Sequence, residues 1–72
     1  MAFEEIQDAV ELGERIRERR RELRMTQEEV AFTSRVAPRI ISELEHGKPA
    51  AQFATILRVL EALGLDLYVN PR

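Results

Sequence analysis

An all-α fold, a bundle of four to five short helices closed by one short C-terminal β-strand, is predicted by three observations on this 72-residue sequence. Apolar residues recur at helical spacing in successive stretches. Helix-start and helix-stop residues fall between those stretches, and only the last few residues alternate with a period of two. Seventy-two residues make one domain, near the lower size at which a single core holds itself together. That length leaves no room for a cleft between two lobes, and it favours a second copy of the chain completing the core.

The elements are read in order along the chain. Phe3, Ile6 and Val10 recur at helical spacing, so residues 1–11 read as an acidic extension forming a short helix or a frayed start of the next one. Leu12, Ile16 and Leu23 share a narrow stripe, which predicts a helix over about residues 11–23 and opens a helical core spanning residues 12–64. Arg19 and Arg20 flank that stripe, where a guanidinium at the edge of a core wants a carboxylate.

Thr26, Gln27, Glu28 and Glu29 have the capping-box form, the clearest helix start in the chain, and Val30 and Ala31 follow at once. Pro38 forces a new beginning after Ser34, Arg35 and Val36, giving a third helix over residues 38–46 that stops at Gly47 with Pro49 soon after. The fourth helix carries Phe53, Ile56, Leu57, Leu60 and Leu63, with Gly64 as its stop, while Pro49, Ala50 and Ala51 offer its start no side-chain acceptor. Phe53, Leu57 and Leu60 read as core rather than as a cofactor box.

Beyond Gly64, Leu65, Leu67 and Val69 alternate with Asp66, Tyr68 and Asn70 before Pro71, which predicts a strand over residues 65–70. A lone strand leaves its backbone unpaired. Pairing with the same strand of a second chain across a two-fold axis answers that, through Leu65, Leu67, Tyr68 and Val69; an extended tail is the alternative.

Composition narrows the chemistry. The sequence has no cysteine, so neither disulfides nor thiolate metal sites are available, and the single histidine, His46, cannot build a zinc site without carboxylate help. No metal and no cofactor is expected. A basic leader followed by a long apolar run is lacking, which predicts a cytoplasmic chain without a membrane partner. The formal net charge of −2 is unevenly spread: residues 1–14 hold five acids and no base, residues 15–48 nine bases against six acids. Such asymmetry can place a basic face on an acidic protein, although a solvated Glu/Arg helix surface accounts for the same charges.

Residues 26–46 fit two short helices joined by a tight turn, the unit whose second helix enters the DNA major groove. On the third helix Ile41 and Leu44, flanked by Ile40, point one way; Arg39, Ser42, Glu43 and His46 point the other. Arg suits guanine O6 and N7, Glu can accept from cytosine N4, and Ser is permissive.

Three blocks, Leu12 to Arg20, Leu23 to Ala31 and Ile41 to Pro49, resemble the phage-repressor (Cro, or XRE) type of helix-turn-helix domain, and the likeness runs over about residues 12–64. The block from Leu57 to Leu65 and the predicted strand are similar to HipB-like antitoxins in particular. The resemblance implies a repressor-like helix-turn-helix bundle that binds a palindromic double-stranded DNA operator as a homodimer, represses its own operon and binds a HipA-type kinase toxin. It implies a phosphate contact from Gln27, base reading by Pro38, Arg39, Ser42 and Glu43, and backbone contacts from His46, Gly47 and Lys48. It also implies a buried ion pair between Arg20 and Glu45.

Two residues depart from the family pattern: Arg35 stands where the turn normally holds glycine, and Ala37 where Ser or Thr normally caps the next helix. Each costs on the order of 1 kcal/mol.

No serine or cysteine beside a base, no phosphate-cradling glycine loop and no histidine–carboxylate cluster is present, so an enzyme is not predicted. Two functional readings remain: a sequence-specific repressor, or a protein-binding module that mainly sequesters a partner with weak or no DNA binding. The acidic residues 1–14, with Glu61 and Asp66, suit a basic partner surface.

Overall fold

A computed structural model describes residues 3–48 and 52–72. Within them the chain forms α1 (Ala9–Glu22), α2 (Gln27–Ser34), α3 (Pro38–Glu45) and α4 (Phe53–Ala62). Ile16 from α1, Val30 and Ala31 from α2, Ile41 and Leu44 from α3, and Val59, Leu60 and Leu63 around α4 make the buried core. α3 packs on α1 and α2, whereas α4 packs principally on α2.

Residues 3–7 of the acidic start are not helical, and α1 takes in its last residues from Ala9 on. Asp8 caps α1, its side chain accepting the Glu11 N–H at 2.9 Å, while the Glu11 carboxylate accepts the Gln7 N–H at 2.8 Å. These side-chain acceptors replace the carbonyls of a preceding turn, so the apolar spacing of Phe3, Ile6 and Val10 comes without a helix over residues 3–7. Phe3 instead meets Tyr68 edge-on, with ring centroids 4.7 Å apart.

The C-terminal segment is a second correction. Residues 65–72 form no strand, because no second strand exists among the described residues to pair with Leu65, Leu67, Tyr68 or Val69. Leu65 still packs against the core. The core assignment of α4 also needs revising: Leu60 is buried, but Phe53 is 61 % exposed and Leu57 40 % exposed. The uncapped start expected at Pro49, Ala50 and Ala51 lies outside the described residues; Gln52, which precedes α4, makes no side-chain capping bond.

All four helices end alike. The N–H groups of Met25, Val36, Lys48 and Leu65 each return to the carbonyl five residues earlier, on Arg20, Ala31, Glu43 and Leu60. This closure requires a left-handed residue just before the returning amide. Those residues are Arg24 (φ 55°), Arg35 (φ 62°), Gly47 (φ 76°) and Gly64 (φ 68°). Two helices therefore stop at arginines in a conformation that favours glycine.

Gly13 fixes how closely α1 approaches α3. A Cβ there would clash with the Leu44 carbonyl oxygen and sit 3.0 Å from that of Glu45, so only hydrogen fits between the two backbones.

Candidate nucleic-acid interface

The path into α3 is set by backbone rather than by capping. Arg35 turns the chain in the left-handed region, Ala37 precedes the helix with no side-chain capping bond, and Pro38 occupies the first turn, where a missing N–H costs nothing. Ile41 and Leu44 then anchor the helix to the core.

That anchorage turns one face outward. Pro38, Arg39, His46 and Lys48 are exposed, and Ser42 and Glu43 half-buried. These are the residues expected to read bases, followed by the loop expected to meet the backbone, and they succeed one another along α3 and its C-terminal turn. Arg39 and Lys48 take part in no ion pair among the described residues. The His46 Nδ1–H donates to the Ser42 carbonyl at 2.7 Å, which orients Nε2 away from the helix end. The N–H of Gly47 is engaged by the Leu44 carbonyl and that of Lys48 by the Glu43 carbonyl. The His46 and Lys48 side chains are exposed on this loop, and Gly47 supplies the turn.

Behind this face sits a buried carboxylate. Glu45 receives Arg20 Nε at 2.7 Å, Arg20 Nη2 at 3.0 Å and Gln27 Nε2 at 3.2 Å, with Arg17 Nε 3.8 Å away. Burial pushes the Glu45 carboxyl up, but the hydrogen bonds from Arg20 and Gln27 and the charges of Arg20 and Arg17 outweigh it and hold the group below the ordinary carboxylate range. Gln27, expected at a DNA phosphate, thus directs its amide nitrogen inward and joins α2 to α3. The capping box of Thr26 and Glu29 closes on itself, Glu29 N–H to Thr26 Oγ1 at 3.0 Å and Thr26 N–H to Glu29 Oε1 at 2.9 Å. It leaves the amides of Gln27 and Glu28 without intrahelical acceptors at the same end of α2.

Most of the basic run on α1 is engaged internally. Arg15 pairs with Glu4 and Glu18, Arg19 with Glu22, and Arg20 with Glu45, while Arg19 Nε also donates to the Leu63 carbonyl at 2.9 Å. That last bond caps the C-terminus of α4. The wheel position of Arg19 signals a need for an acceptor without saying which one. Sequence reasoning misses Arg58 altogether: its Nε donates to the Ser34 carbonyl at 3.1 Å, a contact with backbone that no residue type announces.

A short helix held on a core, launched by a tight turn and presenting Arg, Ser, Glu and His outward, defines a helix-turn-helix domain. The family follows from sequence. Residues 16–69 match the helix-turn-helix family HTH_3, of the XRE type, and the chain belongs to it. It is 37 % identical over 62 residues to the uncharacterized HTH-type transcriptional regulator y4mF of Sinorhizobium fredii, covering 86 % of this chain and 82 % of that protein.

Solved structures agree on the fold. A HipB–O2 20mer complex superposes with a TM-score of 0.86 at 21 % identity, over 97 % of both chains. A HipA–HipB–O2–O3 complex gives 0.86 at 22 % identity, covering 96 % of this chain and 97 % of that one. The restriction-modification controller protein C.AhdI of Aeromonas hydrophila gives 0.74 at 29 % identity, over 81 % of this chain and 88 % of its own. By family the chain is a helix-turn-helix protein, and its y4mF relative is an HTH-type transcriptional regulator rather than an enzyme. Among the described residues no helix is long and apolar enough to cross a membrane.

Proposed function

We propose that this protein is a sequence-specific transcriptional repressor that binds a palindromic operator as a homodimer in the cytoplasm, with α3 in the major groove. The observation that carries this reading is the outward face of α3, where Arg39 stands exposed and, among the described residues, makes no ion pair. Arg39 reads a guanine edge, with Pro38, Ser42 and Glu43 beside it; His46 and Lys48 meet phosphates across the turn at Gly47, and Gln27 meets one through the end of α2.

Dimerisation is supported by what the single chain leaves uncovered. Phe53 and Leu57 on α4 are exposed, and Leu57 lines a shallow groove with Leu65 and Leu67 of the tail. A second copy laid along this groove covers these residues. The likeness to HipB, solved with HipA in one complex, supports a finer reading as the antitoxin and autorepressor of a HipBA-type operon with a HipA-type kinase partner.

Phe32, on the outer face of α2, is 88 % exposed and lines a shallow depression with Glu28 and Glu29. This acidic, aromatic patch favours the second reading, a surface that holds a basic protein partner.

Fluorescence anisotropy with the duplex upstream of the protein's own gene, beside a scrambled duplex at two salt concentrations, tests the proposal. Tight binding to the native duplex alone supports an autorepressor. Equal and salt-sensitive binding to both places the site elsewhere, and binding to neither at modest salt leaves the partner-holding reading.

A further inference from the structure

We propose that Arg58 is a positioning residue that ties α4 to the turn launching α3 and so sets the separation at which two recognition helices reach DNA. The inference rests on the dimeric DNA-binding reading above and names the residue that carries its geometry.

Ser34 is the last residue of α2 and only 2 % exposed, so its carbonyl needs a partner from the protein. The local closure of α2 serves other carbonyls: Val36 N–H returns to Ala31 and Arg35 N–H to Phe32. The Ser34 carbonyl is taken by Arg58 Nε, 24 residues away on α4, at 3.1 Å. The turn that follows lacks two of the usual local devices. Arg35 holds the left-handed position without being glycine, and Ala37 offers α3 no cap. A tertiary bond therefore substitutes for local ones where the direction of α3 is decided.

Topology adds the second half. α4 packs principally on α2, and α3 on α1 and α2, so the route from α4 to α3 runs chiefly through α2. α4 also carries the exposed Phe53 and Leu57, the face read above as meeting a second copy. Arg58 thus joins the helix at the copy–copy interface to the residue that begins the turn. Without it, two copies still associate through α4, but each α3 is less firmly oriented relative to that interface.

Half-site spacing is the quantity such a residue controls, and a residue that only stabilises the fold leaves spacing preference alone. The test begins with the wild-type chain enriching a palindrome from random-sequence duplexes. Affinity is then measured for that palindrome and for versions with one base pair added or removed between half-sites. Wild type is expected to lose ~10-fold or more on either change, since both helices must meet the groove in phase. Arg58→Ala, shown folded by circular dichroism and dimeric by sedimentation, is expected to bind the best spacing more weakly and to distinguish the three duplexes by less than ~3-fold. Arg58→Lys, which keeps a donor at similar reach, restores the preference.

Should Arg58→Ala fail to fold, Arg58→Met keeps the aliphatic stem without donors and meets the same criterion. A variant as sharply selective as wild type overturns the inference, and so does a wild type indifferent to spacing. A wild-type chain that enriches no duplex overturns the DNA-binding reading and this inference with it.

Discussion

Arg20 and Glu45 face each other fork to fork, Nε to Oε2 at 2.7 Å and Nη2 to Oε1 at 3.0 Å, across the junction of α1 and α3. The third guanidinium nitrogen, Nη1, donates to the Met25 carbonyl at 3.0 Å, so one side chain also fastens the turn between α1 and α2. Every polar atom of this arginine head is satisfied, which is the condition under which a buried pair is tolerated.

Glu45→Gln is expected to destabilise the fold by about 1–3 kcal/mol, because it leaves the partly buried Arg20 charge beside a neutral amide. Urea denaturation with an unchanged slope measures it. A shift below a few tenths of a kcal/mol would remove the pair from any structural role.

Acid should weaken the wild type more than this variant. The Glu45 carboxyl is held below its ordinary value in the folded chain, so the unfolded chain binds its proton first as pH falls. Its contribution is complete above the ordinary carboxylate range and is lost as pH drops through the lower folded value. The difference in stability between wild type and Glu45→Gln, followed from pH 7 downward, should shrink towards zero in acid.

Gly13→Ala is expected to cost about 3 kcal/mol or more, despite alanine being the better helix former. The added carbon meets the backbone of α3 at Leu44, which cannot rotate away as a side chain could. A thermal melt within a degree or two of wild type would contradict this close approach.

Two substitutions should stabilise. Arg35→Gly relieves a left-handed arginine and Ala37→Ser supplies the missing cap on α3, each contributing about 1 kcal/mol. Denaturant midpoints of the two variants check both at once, and a fall in either midpoint contradicts the corresponding local account.

Removing residues 67–72 keeps Leu65 on the core and takes away Leu67, Tyr68 and Val69. The shortened chain should remain folded, losing at most about 1 kcal/mol with the Phe3–Tyr68 contact, and should sediment as a monomer. A dimer of undiminished stability would refute the tail's part in association.

What the sequence discloses follows the range of the interaction. The capping box at Thr26 and Glu29, the proline in the first turn of α3 and the glycine stops at Gly47 and Gly64 are local events, legible from residue types a few positions apart. The outward face of α3 is legible for the same reason, since Ile41 and Leu44 fix the helix phase. The left-handed Arg24 is not, because arginine carries no preference for that conformation and only the closure of α1 imposes it. Nor are the bonds from Arg19 to Leu63 and from Arg58 to Ser34, which depend on tertiary placement and end on backbone carbonyls. Periodicity also misleads where an apolar residue serves a surface: Phe53 and Leu57 keep perfect helical spacing yet stand exposed. At the start of the chain, Asp8 as an N-cap outranks the spacing of Phe3, Ile6 and Val10.

The central claim, that the exposed face of α3 reads base sequence, is tested most directly by comparing Arg39→Ala with Lys48→Ala on the preferred duplex and on a scrambled one. If the account holds, Arg39→Ala lowers the ratio of the two affinities by ~10-fold or more, the equivalent of about 1–3 kcal/mol of discrimination. Lys48→Ala weakens both duplexes alike and reduces the salt slope by about one. An affinity ratio untouched by Arg39→Ala would contradict the claim that this face of α3 reads the bases.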